Sequence, residues 1–171
     1  MRIELDSGWL IREWREGDLA SLVRYANNRN VWINLRDRFP HPYPEADGRD
    51  WIARCLESGP LTHFAIATTD VAIGGIGLTL QDNVYRRSAE LGYWLGEPFW
   101  GRGIMTLAAH AIVEWAFPEL DVRRIYSSVF PWNPAPSRAL EKAGFSFEGR
   151  RKGAVLKDGQ ITDELLYGLV R

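Results

Sequence analysis

A glycine-rich turn leads directly into the most regular amphipathic segment of this sequence. The turn reads Phe99-Trp100-Gly101-Arg102-Gly103 and follows a strand that alternation and flanking turn residues predict at 88–96. Apolar residues after the turn recur at helical spacing and predict a helix that ends at Pro118. Its buried stripe is Ile104, Leu107, Ala108, Ala111, Ile112 and Trp115. Such a strand–loop–helix unit restricts the chain to folds that mix strands with helices.

The segment before residue 60 predicts a strand and two helices. The strand covers 3–14, with a turn at 6–8, and Asp18 is placed to cap the first helix. A proline-rich stretch at 38–48 reads as an irregular loop. The second helix ends at Gly59-Pro60, and one face of it carries Trp51, Ile52, Cys55 and Leu56.

Two strands are predicted between the second helix and the strand at 88–96. They cover 62–69 and 71–80, and the short gap between them suits a hairpin. Three glycines weaken the second of these strands, so we expect a bulge or a close backbone approach at Gly74, Gly75 and Gly77.

The segment after the long helix predicts a strand at 124–130, a short helix and two final strands. The short helix has Asn133 as its N-cap and ends at Gly144. The final strands cover 145–156 and 161–170. The whole order predicts an α/β (α+β) fold with a mixed, mostly antiparallel sheet of about seven strands flanked by about four helices.

Composition and charge limit the class of protein. The 171 residues suit one domain, expected at 1–171. Lys plus Arg total 21 against 22 Asp plus Glu, so neither a nucleic-acid partner nor an anionic membrane is expected. The lone Cys55 excludes an internal disulfide and a multi-cysteine zinc site. The first 14 residues lack the apolar core of a signal peptide, and we expect a cytoplasmic location.

The glycine-rich turn has the properties of an anion site. A helix start offers free N–H groups and about half a positive charge, and Gly101 and Gly103 let the backbone approach a phosphate oxygen. Arg102 adds a charged donor. No Walker loop is present, and the dinucleotide fingerprint fails because Thr106 stands where a third glycine is required. On spacing alone, a plain tight turn stays open.

The residues around this turn resemble the acyl-CoA motif of the GNAT superfamily of N-acyltransferases. The resemblance rests on residues 89–95, read as AELGYWL, and on 99–106, read as FWGRGIMT. The run at 133–145, NPAPSRALEKAGF, followed by Phe147-Glu148-Gly149, resembles the RimJ/RimL branch. That branch includes acetyltransferases that act on the N-termini of ribosomal proteins. The three motifs stand in the order that the superfamily has.

The resemblance implies acetyl-CoA as cosubstrate and assigns residues to it. The superfamily phosphate pattern falls on Trp100, Gly101, Arg102, Gly103, Ile104 and Met105, with Met105 in place of a small residue. Main-chain N–H groups from Arg102 to Thr106 would hold the CoA pyrophosphate. The strand at Tyr93, Trp94 and Leu95 would pair with the pantetheine arm. Asn133 matches a position near the thioester end.

The resemblance also implies two catalytic candidates. Ser137 would protonate or hydrogen-bond the leaving thiolate, and Glu90, on the strand face of Gly92 and Trp94, would accept the amine proton. A main-chain N–H near Trp94 would polarise the carbonyl. Two departures are notable. The tyrosine that many members carry near this helix has no match in 137–144, and Val155 stands where some relatives place a carboxylate.

Structural roles remain open beside these chemical ones. Asn133 is also a helix cap, serine is common in a first helical turn, and Glu90 suits solvent or a cross-strand arginine. The aromatic-rich loop at 30–43 suits a core position, whereas the resemblance implies that it borders the acceptor groove. No acidic residue stands at metal-binding spacing from the three histidines, His41, His63 and His110. We therefore expect no metal site and interpret these histidines as surface or core residues.

Three functions of different classes follow. The first is an acetyl-CoA-dependent N-acetyltransferase acting on a protein N-terminus or a small amine, as a monomer or homodimer. The second is a non-catalytic acyl-CoA sensor or interaction module, which the Val155 departure favours. The third, a ribosome or nucleic-acid interaction protein, is disfavoured by the net charge of −1.

Overall fold

Strands and helices follow one another in the predicted order in a computed structural model that describes residues 1–57 and 61–171. The strands are β1 (Arg2–Glu4), β2 (Leu10–Arg12), β3 (His63–Ala67), β4 (Ala72–Leu80), β5 (Ser88–Leu95), β6 (Arg124–Val129), β7 (Ser146–Lys157) and β8 (Gln160–Val170). The helices are α1 (Leu19–Ala26), α2 (Arg29–Trp32), α3 (Glu45–Leu56), α4 (Ile104–Glu119) and α5 (Pro134–Lys142). The predicted helix end at Gly59-Pro60 lies outside the described residues.

The strands form one sheet in the order β1-β2-β3-β4-β5-β6-β8-β7. β5 and β6 are parallel, and α4 makes the crossover between them. The pairs β1–β2, β2–β3, β3–β4, β6–β8 and β7–β8 are antiparallel. The predicted mixed, mostly antiparallel sheet is therefore confirmed.

The described residues contain eight strands and five α-helices, one more of each than expected. The N-terminal segment is two strands, because Ser7 and Gly8 adopt φ values of 65° and 80° and reverse the chain between them. The extra helix, α2, has four residues and is capped by the Asn28 side chain, which accepts a 2.7 Å hydrogen bond from the Asn30 N–H.

The chain divides into two compact units, described separately. The first comprises Met1–Gly77 with Tyr93–Ile104. Its core includes the buried residues Trp14, Leu22, Ala26, Tyr43, Ile52, Cys55, Ala65 and Ala72. Burial raises the pKa of the Cys55 thiol to about 12, as expected of a packing residue.

Two local expectations in the first unit were wrong. Asp18 stands at the N-cap of α1, but its side chain does not cap the helix. Its carboxylate instead accepts two 2.7 Å hydrogen bonds from the buried Arg12 guanidinium and one from the Arg15 N–H. Leaving a buried guanidinium without an opposite charge costs more free energy than leaving a helix N–H without a cap. Gly48, expected in a loop, lies inside α3, where a Cβ would come within 2.9 Å of Leu19 Cδ1.

The second unit comprises Leu78–Gly92 with Met105–Arg171. α4 does not stop at Pro118, because the lost proline N–H costs one bond and the Leu120 N–H still donates to the Ala116 oxygen at 2.8 Å. Asn133 caps α5 and Gly144 follows its end, as predicted. Within the described ranges, none of the helices combines the length and the apolar character that a membrane span requires.

Candidate active site

The loop between β5 and α4 contains two glycines in the left-handed region. Gly101 has φ of +76° and Gly103 has φ of +74°, a backbone conformation that other residues rarely adopt. Among the described residues other than the glycine and its two chain neighbours, no heavy atom lies within 4 Å of the position that a Cβ would take at either glycine. The loop therefore presents its main chain to open space, as a backbone cradle for an oxygen-rich anion must.

The first turn of α4 continues from this loop. α4 has 16 residues and no acidic residue in its first turn, so nothing there neutralises the positive end of its dipole. Ile104 is buried, whereas Met105 and Thr106 are half-buried. The buried Ile104 anchors the helix start while the unpaired N–H groups of the first turn remain available to an anion.

Trp100 ties this loop to the end of β5. Its indole N–H donates a 2.7 Å hydrogen bond to the main-chain oxygen of Leu95, although 42% of the residue is exposed. The bond spans five residues and closes the segment between the strand end and the glycine pair. The Trp100 side chain thus holds the loop against the end of β5. The sequence motif concerns main-chain N–H groups and did not reveal this role.

A second set of bonds, which the sequence did not reveal, holds the turn at Glu97–Phe99. The Glu97 carboxylate accepts hydrogen bonds from the Asn28 amide at 2.7 Å and from the Asn30 amide at 2.9 Å. The Phe99 ring packs edge-on against Tyr25, with centroids 5.1 Å apart. Because both amide donors lie at the α1–α2 junction, this junction and the glycine loop are held through one carboxylate.

Arg102 bends back toward the same turn. Its guanidinium donates a 3.1 Å hydrogen bond to the Pro98 oxygen and lies 5.8 Å from the centroid of the Phe99 ring. The exposed side chain therefore supports the loop from outside. Its predicted contribution as a charged donor to phosphate stays a prediction.

The end of β5 lies very close to β4. A Cβ at Gly74 would stand 2.5 Å from the Trp94 oxygen, and one at Gly75 would stand 2.7 Å from Trp94 Nε1. A side chain at either position would displace the strand or the indole. The predicted close backbone approach is confirmed, and it also fixes the Trp94–Leu95 end of β5.

Aromatic side chains from the loop at 30–43 pack beside Trp94. The Phe39 ring lies 5.5 Å from the Trp94 ring and 4.9 Å from that of Tyr43. Tyr43 is buried, and burial raises the pKa of its phenol to about 12. Behind them, the Trp14 indole N–H is buried without a hydrogen-bond partner among the described residues. The loop therefore belongs both to the core and to the surroundings of Trp94.

Glu90 lies in the second unit at the end of the parallel ladder. Ser88, Ala89 and Glu90 pair with Arg124, Ile125 and Tyr126. Beyond this point the contact changes, because the buried Ser127 hydroxyl donates a 2.9 Å hydrogen bond to the Leu91 oxygen. β5 itself continues to Leu95. Glu90 is half-buried and marks the point where the ladder between β5 and β6 stops.

Asn133 and Ser137 lie at the start of α5. The Asn133 side chain accepts a 3.1 Å hydrogen bond from the Ala135 N–H, which confirms its capping role. Ser137, one turn later, is buried, with 8% of the residue exposed. Within the part of the chain that the structure describes, its hydroxyl makes no hydrogen bond to another residue. A hydroxyl without a protein partner is available to hydrogen-bond a bound group.

A tyrosine contacts α5 from elsewhere in the sequence. The buried Tyr167, on β8, donates a 3.2 Å hydrogen bond from its phenol to Glu141 Oε1. Tyr167 lies outside the helix segment at 137–144 in the sequence, so that segment gives no sign of it. The pairing of β8 in the sheet brings Tyr167 next to α5. Val155 stays on β7 opposite Thr162, so its position supplies no acid.

The predicted site residues therefore fall into two described groups. The first unit brings together Tyr93, Trp94, Leu95 and the loop from Trp100 to Ile104. The second contains Glu90, Met105, Thr106, Asn133 and Ser137. Within 1–57 and 61–171, no group of three or more His, Cys, Asp or Glu side chains is arranged to hold a metal ion.

Comparison with known proteins decides the family. The family described as acetyltransferase (GNAT) domain matches residues 9–146, which include the glycine loop and the start of α5. The chain belongs to the GNAT family. The matched range contains the glycine pair, the end of β5 and the cap of α5.

Relatives of known sequence agree. The chain is 36% identical over 117 residues to the probable N-acetyltransferase YjcK of Bacillus subtilis, covering 67% of this chain and 65% of that protein. It is 30% identical over 168 residues to the [ribosomal protein uS5]-alanine N-acetyltransferase of Escherichia coli, covering 91% and 81%. Against YjcK and two further Bacillus relatives, the chain spans 65%, 53% and 64% of their length.

Solved GNAT structures share the fold. The ribosomal L7/L12 alpha-N-protein acetyltransferase RimL, solved in complex with coenzyme A, aligns with a TM-score of 0.86 at 20% identity, covering 99% of this chain and 98% of that one. A GNAT acetyltransferase from Bacillus anthracis aligns with a TM-score of 0.84 at 21% identity, with coverages of 99% and 98%. At these identities the likeness is one of fold.

Proposed function

We propose that this GNAT domain transfers an acetyl group from acetyl-CoA to a primary amine, by direct attack in a ternary complex. The observation that carries the proposal is the loop at 100–103, where Gly101 and Gly103 turn the main chain toward open space at the start of a 16-residue helix. Such a helix start attracts a diphosphate through its N–H groups and its dipole.

The rest of the proposed acetyl-CoA site follows from the elements around this loop. Main-chain N–H groups from Arg102 to Thr106 would hold the diphosphate. The Tyr93–Leu95 end of β5 would pair with the amides of the pantetheine arm, as an added strand does. Asn133, already fixed as a helix cap, would contact the thioester end.

The proposed chemistry needs placement more than strong acids or bases. A main-chain N–H near Trp94 would polarise the thioester carbonyl, and the close packing of this strand end on Gly74 supports a fixed donor. The amine nitrogen bonds to the carbonyl carbon, the C–S bond breaks, and the thiolate gains a proton. Ser137 would supply a hydrogen bond to that sulfur, and the family resemblance implies Glu90 as the acceptor of the amine proton.

For the acceptor, we propose an amine at a protein N-terminus. The support is the E. coli relative, whose name gives an alanine of ribosomal protein uS5 as its substrate and which aligns with 91% of this chain. A small amine is the alternative. A single domain at 1–171, a monomer or homodimer, a cytoplasmic location and the absence of a nucleic-acid partner remain predictions.

The proposal is tested by following free thiol from acetyl-CoA. The purified protein is incubated with acetyl-CoA and, in separate reactions, an alanine-starting octapeptide, the same peptide with a blocked N-terminus, and spermidine. We expect thiol release with the free peptide and none with the blocked one. Thiol release with spermidine but not with the free peptide would show that the acceptor is a small amine. Coenzyme A binding without turnover of any acceptor would favour the non-catalytic sensor.

A further inference from the structure

We propose that His63, rather than Glu90, accepts the proton of the attacking amine, an assignment that rests on the proposed acetyl transfer and changes the base in it. The observation behind it is a pair of rings lying over two glycines of β4. A Cβ at Gly77 would stand 2.6 Å from the His63 ring, and a Cβ at Gly75 would stand 2.7 Å from Trp94 Nε1. Neither position on β4 can carry a side chain while these rings lie there.

The spacing of the two glycines puts the two rings side by side. Residues two apart on a strand point to the same face and lie about 7 Å from each other. The imidazole of His63 and the indole of Trp94 therefore cover neighbouring positions on one face of β4. We place the thioester carbonyl at the Trp94 end of β5, so an amine that approaches it over this face of β4 would meet His63.

The contacts of His63 fix its ring and leave one nitrogen available. Nδ1 lies 3.1 Å from the Thr62 hydroxyl, and the Trp51 ring on α3 packs edge-on against the imidazole at 5.4 Å. Among the described residues, Nε2 makes no hydrogen bond. When Nδ1–H donates to Thr62 Oγ1, Nε2 presents its lone pair. The side chain is half-buried, so this nitrogen is not sealed inside the core.

Burial and a nearby positive charge both favour the neutral form of His63. Burial lowers the pKa of the imidazole, and the positive charge of Arg38, from the loop before α3, lowers it further. On α3, Arg54 lies over the Trp51 ring, 5.8 Å from its centroid. With the pKa below its ordinary value of 6.5, the imidazole is uncharged at pH 7 and can accept a proton.

The acetyl transfer needs no reactant other than the amine and acetyl-CoA. The neutral amine nitrogen bonds to the thioester carbon and the C–S bond breaks. The proton lost by the nitrogen passes to His63 Nε2 and then to solvent, while the sulfur leaves as the thiolate and is protonated to the free thiol. The products are the acetylated amine and coenzyme A.

The test compares His63→Gln and His63→Phe with the matched control His110→Gln, which alters an exposed histidine on α4. The substrates are acetyl-CoA and the alanine-starting octapeptide. We expect kcat/KM to fall about 100-fold in both His63 variants, with coenzyme A affinity within twofold of wild type and no change in the control. His63→Phe keeps a ring in place, so retained activity in that variant would show a packing role and overturn the proposal.

Two further readouts separate this proposal from the proposed function. Below the pKa of His63, log kcat/KM of wild type should fall with slope 2, one proton on the amine and one on the imidazole, whereas His63→Gln should give slope 1. The ¹⁵N shifts of His63 should report the Nδ1–H tautomer. Wild type that acetylates the peptide with slope 1, or with the Nε2–H tautomer, would overturn the role of His63 alone. Wild type that acetylates no acceptor would overturn both proposals.

Discussion

The indole N–H of Trp100 donates a 2.7 Å hydrogen bond to the main-chain oxygen of Leu95. The two residues flank the turn at Glu97–Phe99, and the bond joins the strand proposed for pantetheine to the loop proposed for the diphosphate. A ligand that uses both segments binds more tightly when their relative position is set in advance, because less conformational entropy is lost.

Replacing Trp100 with Phe removes this donor and keeps an aromatic ring. A hydrogen bond of this kind contributes about 1 kcal/mol, so we expect the Kd for coenzyme A to rise about 3- to 10-fold, measured by isothermal titration calorimetry. Trp100→Gln restores an N–H donor at this position and should recover part of the loss. Unchanged affinity in a folded Trp100→Phe protein would remove the bond from the account.

Replacing Gly103 with Val tests the loop itself. A β-branched residue at φ of +74° is strained, and its side chain enters the space proposed for the phosphate. We expect coenzyme A binding to weaken by at least about 1–2 kcal/mol. The matched control is Gly159→Val in the turn between β7 and β8, where φ is +75° and the space is equally open. Both variants should lose stability, but equal coenzyme A affinities would contradict the assignment.

Replacing Glu97 with Gln breaks the paired acceptance from Asn28 and Asn30. The new amide presents N–H groups to one of the two donors, so one bond is lost and about 1 kcal/mol with it. We expect Tm to fall by about 2–4 °C and the Kd for coenzyme A to rise a few-fold. Glu119→Gln, at the exposed end of α4, is the control and should leave both quantities unchanged.

The ion pair of Arg124 and Glu148 predicts a pH dependence of stability. The Arg124 hydrogen bonds lower the pKa of Glu148 below 4.5. The ion pair therefore stabilises the folded state fully at pH values above the pKa of an unperturbed glutamate. This stabilisation is lost as the pH falls through the lowered pKa of Glu148. Glu148→Gln should be less stable than wild type toward urea at pH 7, with the difference shrinking in acid. A difference that does not change with pH would contradict this reading. Exposed Glu4→Gln is the control.

Local signals in the sequence predicted most of the fold. The helix at α4, the Asn133 cap and the strand glycines each depend on neighbouring residues, and each is confirmed. The predicted buried stripe of α4 was wrong in part, because Leu107, Ala111 and Trp115 are only half-buried. The buried residues of α4 are Ile104, Ala108, Ala109, Ile112, Val113 and Ala116. Asp18 was misassigned because its partner Arg12 is buried with it, which a capping rule does not see. The extension of α4 past Pro118 likewise depended on one remaining main-chain bond.

The parts of the site that sequence did not reveal depend on contacts between distant segments. Glu97 is 69 residues from Asn28, and Tyr167 is 26 residues from Glu141. Nothing in the local pattern of either pair signals its partner. In the sequence, His63 looks like an ordinary strand residue. The structure shows that its ring lies over Gly77, in the space that a side chain at that position would fill. Conversely, the glycine loop was predictable because its backbone conformation depends on two glycines separated by one residue, Gly101 and Gly103.

Calorimetry with coenzyme A and with pantetheine tests the central claim most directly, because the two ligands differ by the part that carries the diphosphate. If the main-chain N–H groups at 102–106 hold that diphosphate, coenzyme A should bind with a micromolar Kd and pantetheine at least about 100-fold more weakly, a difference of about 2.7 kcal/mol. Equal affinities for the two ligands, or no heat from coenzyme A at millimolar concentration, would contradict the account.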